Sequence, residues 1–232
     1  MNCYHIPVST PSFASPSGPV RSARRRFLAR LGFGSAAAGA LLGSALPAAA
    51  QPAPSTPRRH AIDDWMDTLP TVHRTLFDAT SVEGADDIRR YANNVFVGNK
   101  TGYGLESRDI GIIIILRHYA TPFGYNDAIW AKYGSVFAGE LKTADAKTPA
   151  ANPANASGET LDSLSAQGVH FGVCQMATRR YAGMIARSSG GTADAVFEEL
   201  GKNLVRNAHL TPAGIVAVGR AQERGFTFGY GG

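Results

Sequence analysis

The feature that most constrains the fold is an apolar run over residues 109–116, which holds five isoleucines. A strand with one face in water alternates apolar and polar side chains, whereas every position after Asp109 in this run is apolar or glycine. Continuous β-branched runs are typical of strands covered on both faces, as in parallel sheets. The run therefore predicts a central strand of a parallel sheet with helices on both sides.

Helical and extended patterns alternate along the rest of the chain beyond residue 71. Apolar spacings of three and four residues predict helices, and short β-branched or aromatic runs predict strands. The pattern indicates one α/β domain over residues 71–232, a three-layer sandwich with a mostly parallel sheet. The predicted helices are 84–97, 126–141, 161–166, 177–186, 192–205 and 212–224, and the further strands are 75–80, 168–174, 208–210 and 226–230. Residues 143–160 are predicted as a loop.

The first 50 residues have the composition of an export signal. They contain five arginines and no lysine or acid, and residues 24–28 read Arg-Arg-Arg-Phe-Leu, which fits the twin-arginine motif. An uncharged stretch, 31–46, precedes an Ala48-Ala49-Ala50 cleavage site. We therefore expect cleavage near Ala50/Gln51, release into the periplasm and no stable membrane insertion. The alternative is a retained anchor, although the uncharged stretch is shorter than the roughly 20 residues that span a bilayer.

The positive charge of the chain belongs to this signal. The sequence has 23 Lys and Arg against 18 Asp and Glu, and the five arginines of residues 1–50 account for the whole difference. We therefore expect no nucleic-acid partner.

Two cysteines, of which Cys3 lies in the signal, exclude a disulfide scaffold and a cysteine-based zinc finger. Prolines at the start of residues 51–70 predict a flexible linker there.

Cys174 is the strongest candidate for chemistry. It ends the predicted strand 168–174 and precedes a helix, and open α/β sheets bind ligands at the carboxyl ends of their strands. The dipole of the following helix favours a thiolate, and Arg179 and Arg180 add positive charge one to two turns later. His170 shares the strand parity of Cys174 and therefore its face of the sheet. The alternative is an inert thiol, because free cysteines are among the most buried residues.

His118 and Asn126 are supporting candidates because His118 ends the isoleucine strand and Asn126 follows it at the same edge of the sheet. The alternative is that both side chains only satisfy backbone groups of the loop. The histidines show no metal-ligand spacing, so the sequence predicts no metal site and no cofactor. A metal or haem site would require convergence in space. Phosphate-binding loops and Gly-x-Ser-x-Gly elbows are also missing from the sequence.

Two segments carry a resemblance to a known family. Residues 168–174 read Gly-Val-His-Phe-Gly-Val-Cys, and residues 210–228 read Leu-Thr-Pro-Ala-Gly-Ile-Val-Ala-Val-Gly-Arg-Ala-Gln-Glu-Arg-Gly-Phe-Thr-Phe. In order and spacing they resemble the DsrE/DsrF-like family. The resemblance implies a flavodoxin-like fold, a persulfide carried on Cys174 and a trimer or hexamer of identical chains. It also implies a sulfur donor or acceptor protein, or a small thiol, as partner.

Three functions remain open from the sequence. The first is a sulfur carrier or sulfurtransferase, in which the thiolate of Cys174 accepts and passes sulfane sulfur. The second is a non-enzymatic module of the same fold that binds a small ligand or a partner, with an inert Cys174. The third is a metal or haem carrier, which the export of folded protein and the pair His118 and Cys174 favour. The accessibility of Cys174 separates the first two.

Overall fold

The computed structural model describes residues 56–70, 72–142 and 151–232, which belong to one compact unit. The predicted export signal 1–50, residues 51–55 of the predicted linker and residues 143–150 of the predicted loop lie outside the described residues. None of the helices in the described ranges is both long and apolar enough to cross a bilayer.

Five strands form one sheet in the order β4-β3-β2-β1-β5, and every neighbouring pair is parallel. The isoleucine run forms β2 at the centre of the sheet, and all seven of its residues are buried. The prediction of a central parallel strand is therefore confirmed. The strands are β1 (His73–Ala79), β2 (Ile110–Leu116), β3 (His170–Cys174), β4 (Ala208–Thr211) and β5 (Thr227–Gly231).

The two faces of the sheet are covered by different helices. Ile112 and Ile114 pack into the larger core, whereas Ile113 and Ile115 pack into a smaller one on the opposite face. Their alternation follows from the two-residue period of a strand. The larger core packs under α1 (Val82–Tyr103), α2 (Asp127–Leu141), α3 (Leu161–Ala166), α4 (Gln175–Ser189) and α5 (Ala193–Lys202); the smaller core packs under α6 (Gly214–Gln222) and a 3₁₀ helix, Ala61–Thr68. The fold is the predicted flavodoxin-like three-layer α/β sandwich.

Side-chain caps fix where several helices begin. Ser81, Asn126, Thr160 and Thr192 each accept a hydrogen bond from a backbone N–H in the first turn of α1, α2, α3 and α5. The first helix runs six residues further than predicted and ends at Gly104, whose φ of 68° is easy for glycine. Three shorter 3₁₀ helices are Ser107–Asp109, His118–Gly124 and Pro153–Asn155.

The predicted linker is wrong over its second half. Residues Ala61–Thr68 form a 3₁₀ helix, and the side chains of Met66 and Leu69 are buried against the sheet. The prolines end at Pro57, and apolar side chains then recur at positions 62, 65, 66 and 69. Met66 and Leu69 are buried and Trp65 packs on the same core, whereas Ile62 is 55% exposed. The burial of the first three side chains holds the segment against the sheet.

Candidate functional site at the carboxyl edge of the sheet

A crevice opens where β3 and β4 end side by side. The chain leaves β3 through α4, which lies on the larger core, and leaves β4 through α6, which lies on the opposite face. Connections that diverge to opposite faces from adjacent parallel strands create the topological switch point at which α/β sheets bind ligands. The sheet order therefore places a binding crevice at the end of β3.

A pocket of about 250 Å³ occupies this crevice. Its walls are the starts of α4 and α6 together with the turn that follows β2. The lining residues are Arg117, His118, Cys174, Met176, Ala177, Arg180, Ala213, Gly214 and Ile215. Two helix N-termini therefore border the same small volume, and both contribute a positive dipole end. The prediction that Cys174 and His118 share the carboxyl edge of the sheet is confirmed.

Cys174 lies deep in the pocket, with 7% of the residue exposed. It precedes the first residue of α4, and its carbonyl accepts a 2.9 Å hydrogen bond from the hydroxyl of Thr178. Tyr125 donates in turn to the Thr178 hydroxyl at 3.0 Å, and burial raises the pKa of Tyr125 well above its ordinary value. This buried neutral chain holds the backbone at the end of β3, from which the Cys174 side chain lines the pocket.

Two arginines supply positive charge to the pocket. The guanidinium of Arg117 donates to both carboxylate oxygens of Asp78 at 2.8, 3.1 and 2.9 Å, and these bonds raise the pKa of Arg117. Asp78 is buried, and its bonds hold the Arg117 side chain at the pocket wall. Arg180 is bound by Glu140 at 2.5 Å and lies 5.7 Å from the ring centre of Tyr119. Burial acts to lower the pKa of Arg180, but the bond to Glu140 gives a net increase, so both arginines are cations.

His118 occupies a strained backbone conformation at the edge of the pocket. Its φ is 52°, in the left-handed region that histidine adopts only occasionally. The turn is held by two backbone bonds, from Arg117 N–H to Ala79 C=O at 3.1 Å and from Tyr119 N–H to Thr80 C=O at 3.0 Å. The connection after β2 is thereby tied to the end of β1, which keeps His118 beside the pocket.

Three of the predicted site residues lie away from this pocket. Asn126 caps α2 and donates to Asn203 at 3.4 Å, as the alternative for this residue predicted. His170 begins β3, about 13 Å along the strand from Cys174. Arg179 lies over the ring of Phe197 at 4.0 Å and faces α5. Successive helix residues point about 100° apart, and Arg180 rather than Arg179 reaches the pocket.

A helix over 212–224 was predicted, but neither the place of its start in the pocket wall nor the ion pair of Arg117 with Asp78 was. A side chain at Gly214 would place its Cβ 2.7 Å from the Cβ of Arg117, so the close approach of α6 requires glycine. One signal was present in the sequence for the ion pair: Asp78 is an acid in an otherwise apolar part of β1. A buried acid needs a partner, and the nearest cation after the neighbouring strand is Arg117.

Within residues 56–70, 72–142 and 151–232, no three His, Cys, Asp or Glu side chains converge in a way that could hold a metal ion.

Comparisons with known proteins give little further information. No family model and no curated protein sequence matches the chain. A solved structure of a protein of unknown function from Methanobacterium thermoautotrophicum is similar at 16% identity, with a TM-score of 0.35. The match covers 68% of this chain and 98% of that one. Similarity at this level carries no argument about the function of the pocket.

Proposed function

We propose that the protein is an exported, DsrE-like sulfur carrier that binds sulfane sulfur on Cys174. The observation that carries this proposal is the position of the only cysteine beyond the export signal, in a pocket at the switch point of the sheet. The N-termini of α4 and α6, which both border the pocket, favour the approach of an anionic donor.

The proposed chemistry is a thiol–persulfide exchange. The thiolate of Cys174 attacks the outer sulfur of a donor persulfide, R–S–SH. A new S–S bond forms on Cys174, the S–S bond of the donor breaks, and the donor leaves as the thiolate R–S⁻. The same exchange with an acceptor thiolate returns Cys174 to its starting state. No electrons are gained or lost overall, so neither an oxidant nor a reductant is needed.

The surroundings of the pocket support a protein or a small thiol as partner. Met176 and Ile215 are 68% and 60% exposed although both are large and apolar, and both line the pocket. Exposed apolar groups around a reactive residue are typical of a contact surface. The edge strand β5 presents Phe228 and Tyr230, which are about half exposed, and this supports assembly with further copies. The resemblance to the DsrE/DsrF-like family implies a trimer or a hexamer. Light scattering of the purified chain tests the assembly.

Intact-mass analysis of protein isolated from the periplasm tests the proposal. We expect a mature chain that begins near Gln51, together with forms heavier by one or more sulfur atoms that a thiol reductant removes. A Cys174→Ser chain is the control and should show no such forms. A wild-type chain that never carries sulfur, in cells where sulfur donors are present, would contradict the proposal. A form that retains Arg24 and Arg25 in the membrane would contradict the periplasmic location.

The second candidate is a binding module with an inert thiol, and the low exposure of Cys174 favours it. Alkylation by iodoacetamide separates the two candidates. A sulfur carrier should be alkylated on Cys174 in native buffer, with Cys174→Ser as the control. A thiol that reacts only in denaturant would favour the binding module, because no donor could then reach the sulfur atom.

A further inference from the structure

Two imidazoles lie side by side on the face of the sheet that carries the smaller core, far from the pocket. His170 begins β3, and His209 lies on the neighbouring strand β4, opposite Gly172. The Nδ1 atom of His170 and the Nε2 atom of His209 are 3.1 Å apart, which is a hydrogen-bond distance. Both rings are partly buried and nearly parallel, with 12° between their planes. Only one nitrogen of the pair can donate, so the other imidazole must be neutral to accept.

Trp65 of the 3₁₀ helix Ala61–Thr68 covers this histidine pair. Its ring lies 4.3 Å from that of His209 and 6.1 Å from that of His170, stacked on both. The indole Nε1 is buried and has no hydrogen-bond partner among the described residues. Trp65 is therefore joined to the sheet by ring stacking on the histidines and by apolar packing on the smaller core, without a hydrogen bond from its indole. Because Met66 and Leu69 of the same segment are buried beside it, the stacking helps to hold the whole segment in place.

The groups around the pair do not compensate a charge on it. The carboxylates of the segment are Asp63, Asp64 and Asp67, and Asp67 is bound by Arg59 and Arg224. On the side of α6 lies Arg220, which is paired with Glu223. Neither His170 nor His209 makes an ion pair in the described part of the chain.

The environment resists protonation of both rings. Burial lowers the pKa of His170, and burial together with the neighbouring His170 lowers the pKa of His209 to about 4. One imidazolium can keep the hydrogen bond and stack on indole, but a second proton removes the acceptor and brings two positive charges together.

We propose that His170 and His209 form an acid-sensitive latch, which holds the segment Ala61–Thr68 against the sheet while at least one ring is neutral and releases it when both are protonated. The sign follows from linkage. A histidine whose pKa is lowered by docking binds protons more tightly when the segment is released. Docking is therefore at full strength above about pH 6.5 and weakens as the pH falls toward 4. Release would expose Met66, Leu69 and the part of the sheet beneath them.

Hydrogen exchange measured by mass spectrometry tests the latch. We compare the mature chain at about pH 7 and about pH 4.5, with rates corrected for the intrinsic effect of pH on exchange. Peptides that cover residues 61–68 should exchange at least about tenfold faster at the lower pH. Peptides that cover β2 should stay protected, which separates local release from global unfolding.

A His170→Gln/His209→Gln chain is the matched variant, because its side chains stay neutral over this range. Its exchange over 61–68 should no longer depend on pH. If the variant does not dock the segment at all, NMR titration of the two wild-type imidazoles replaces it, and their protonation should coincide with the change in exchange. Unchanged wild-type exchange at low pH would overturn the proposal. Equal acid sensitivity in the variant, loss of β2 protection at the same pH, or imidazole titration that does not coincide with release would also overturn it.

Discussion

The two ends of β3 present the same face of the sheet in opposite ways. At the carboxyl end, Cys174 borders an open pocket because α4 and α6 leave the sheet in different directions. At the amino end, His170 carries a polar side chain of the same parity, but Trp65 stacks over it and closes the surface. The comparison teaches that strand parity decides the face of a residue, whereas the connections at each strand end decide whether that face is open.

The same comparison separates residues that bind from residues that pack. The open end collects two helix N-termini and two cations beside a thiol. The closed end collects an indole, two stacked imidazoles and the buried side chains of Met66 and Leu69. Changes at the open end should therefore alter the reactivity of Cys174. Changes at the closed end should alter the docking of the segment Ala61–Thr68 or the stability of the fold. The ion pair of Arg117 with Asp78 is the exception, because it lies at the open end but supports stability.

The largest effect on stability should come from that ion pair. Arg117→Met leaves the buried carboxylate of Asp78 without its partner, and we expect the free energy of unfolding to fall by about 3–5 kcal/mol. Denaturant unfolding followed by circular dichroism measures the change. Arg90→Met is the matched control, because the Arg90–Asp87 pair is exposed and should contribute no more than about 1 kcal/mol. Equal losses of unfolding free energy in both variants would show that the buried Arg117–Asp78 pair contributes no more to stability than an exposed pair.

A smaller effect is expected at the middle of β3. A methyl group at Gly172 would lie 2.5 Å from Cδ1 of Ile115 and 3.3 Å from Cγ2 of Thr211. Gly172→Ala should therefore cost about 1–3 kcal/mol in the free energy of unfolding through overpacking. The control Gly183→Ala lies in α4, where the nearest atom is 3.6 Å away, and it should stabilise the protein by up to about 1 kcal/mol. If Gly172→Ala is as stable as the wild type, the smaller core around Ile115 is packed loosely enough to accept a methyl group.

The smallest effect should be on reactivity alone. Arg180→Met removes a cation from the pocket but only an exposed ion pair from the surface, so stability should change by less than about 1 kcal/mol. Alkylation of Cys174 by iodoacetate, relative to neutral iodoacetamide, should slow by roughly threefold. Arg179→Met is the matched control and should leave this ratio unchanged, because Arg179 faces Phe197. A lower ratio in the Arg179 variant, or no change in the Arg180 variant, would contradict the conclusion that Arg180 and not Arg179 acts on the pocket.

Much of the fold could be predicted because the decisive signals are local. The unbroken run of β2 predicted burial on both faces, and the apolar helical period predicted a helix over 126–141, which agrees with α2 and its cap Asn126. The 3₁₀ helix Ala61–Thr68 was missed because its apolar spacing is short and follows prolines directly. Its burial depends on the exposed sheet face that it covers, which no local pattern shows.

The candidate site could be predicted only in part for the same reason. Cys174 and His118 were placed together because parallel strands end at one edge. The choice between Arg179 and Arg180 depends on the rotation of α4 about its axis, and the pairing of His170 with His209 depends on the order of the strands. Both are properties of the whole sheet. From the sequence, His170 could therefore be assigned to the face of Cys174 but not to its contact with His209.

Transfer of sulfur to a purified chain that begins at Gln51 tests the central claim most directly. The protein is incubated with a low-molecular-weight persulfide, the excess is removed, and intact mass and peptide mapping locate the product. We expect a gain of one sulfur atom on Cys174 in the native protein, none in Cys174→Ser, and full removal by an acceptor thiol. Failure of the native wild-type chain to take up sulfur, or equal uptake by Cys174→Ser, would contradict the account.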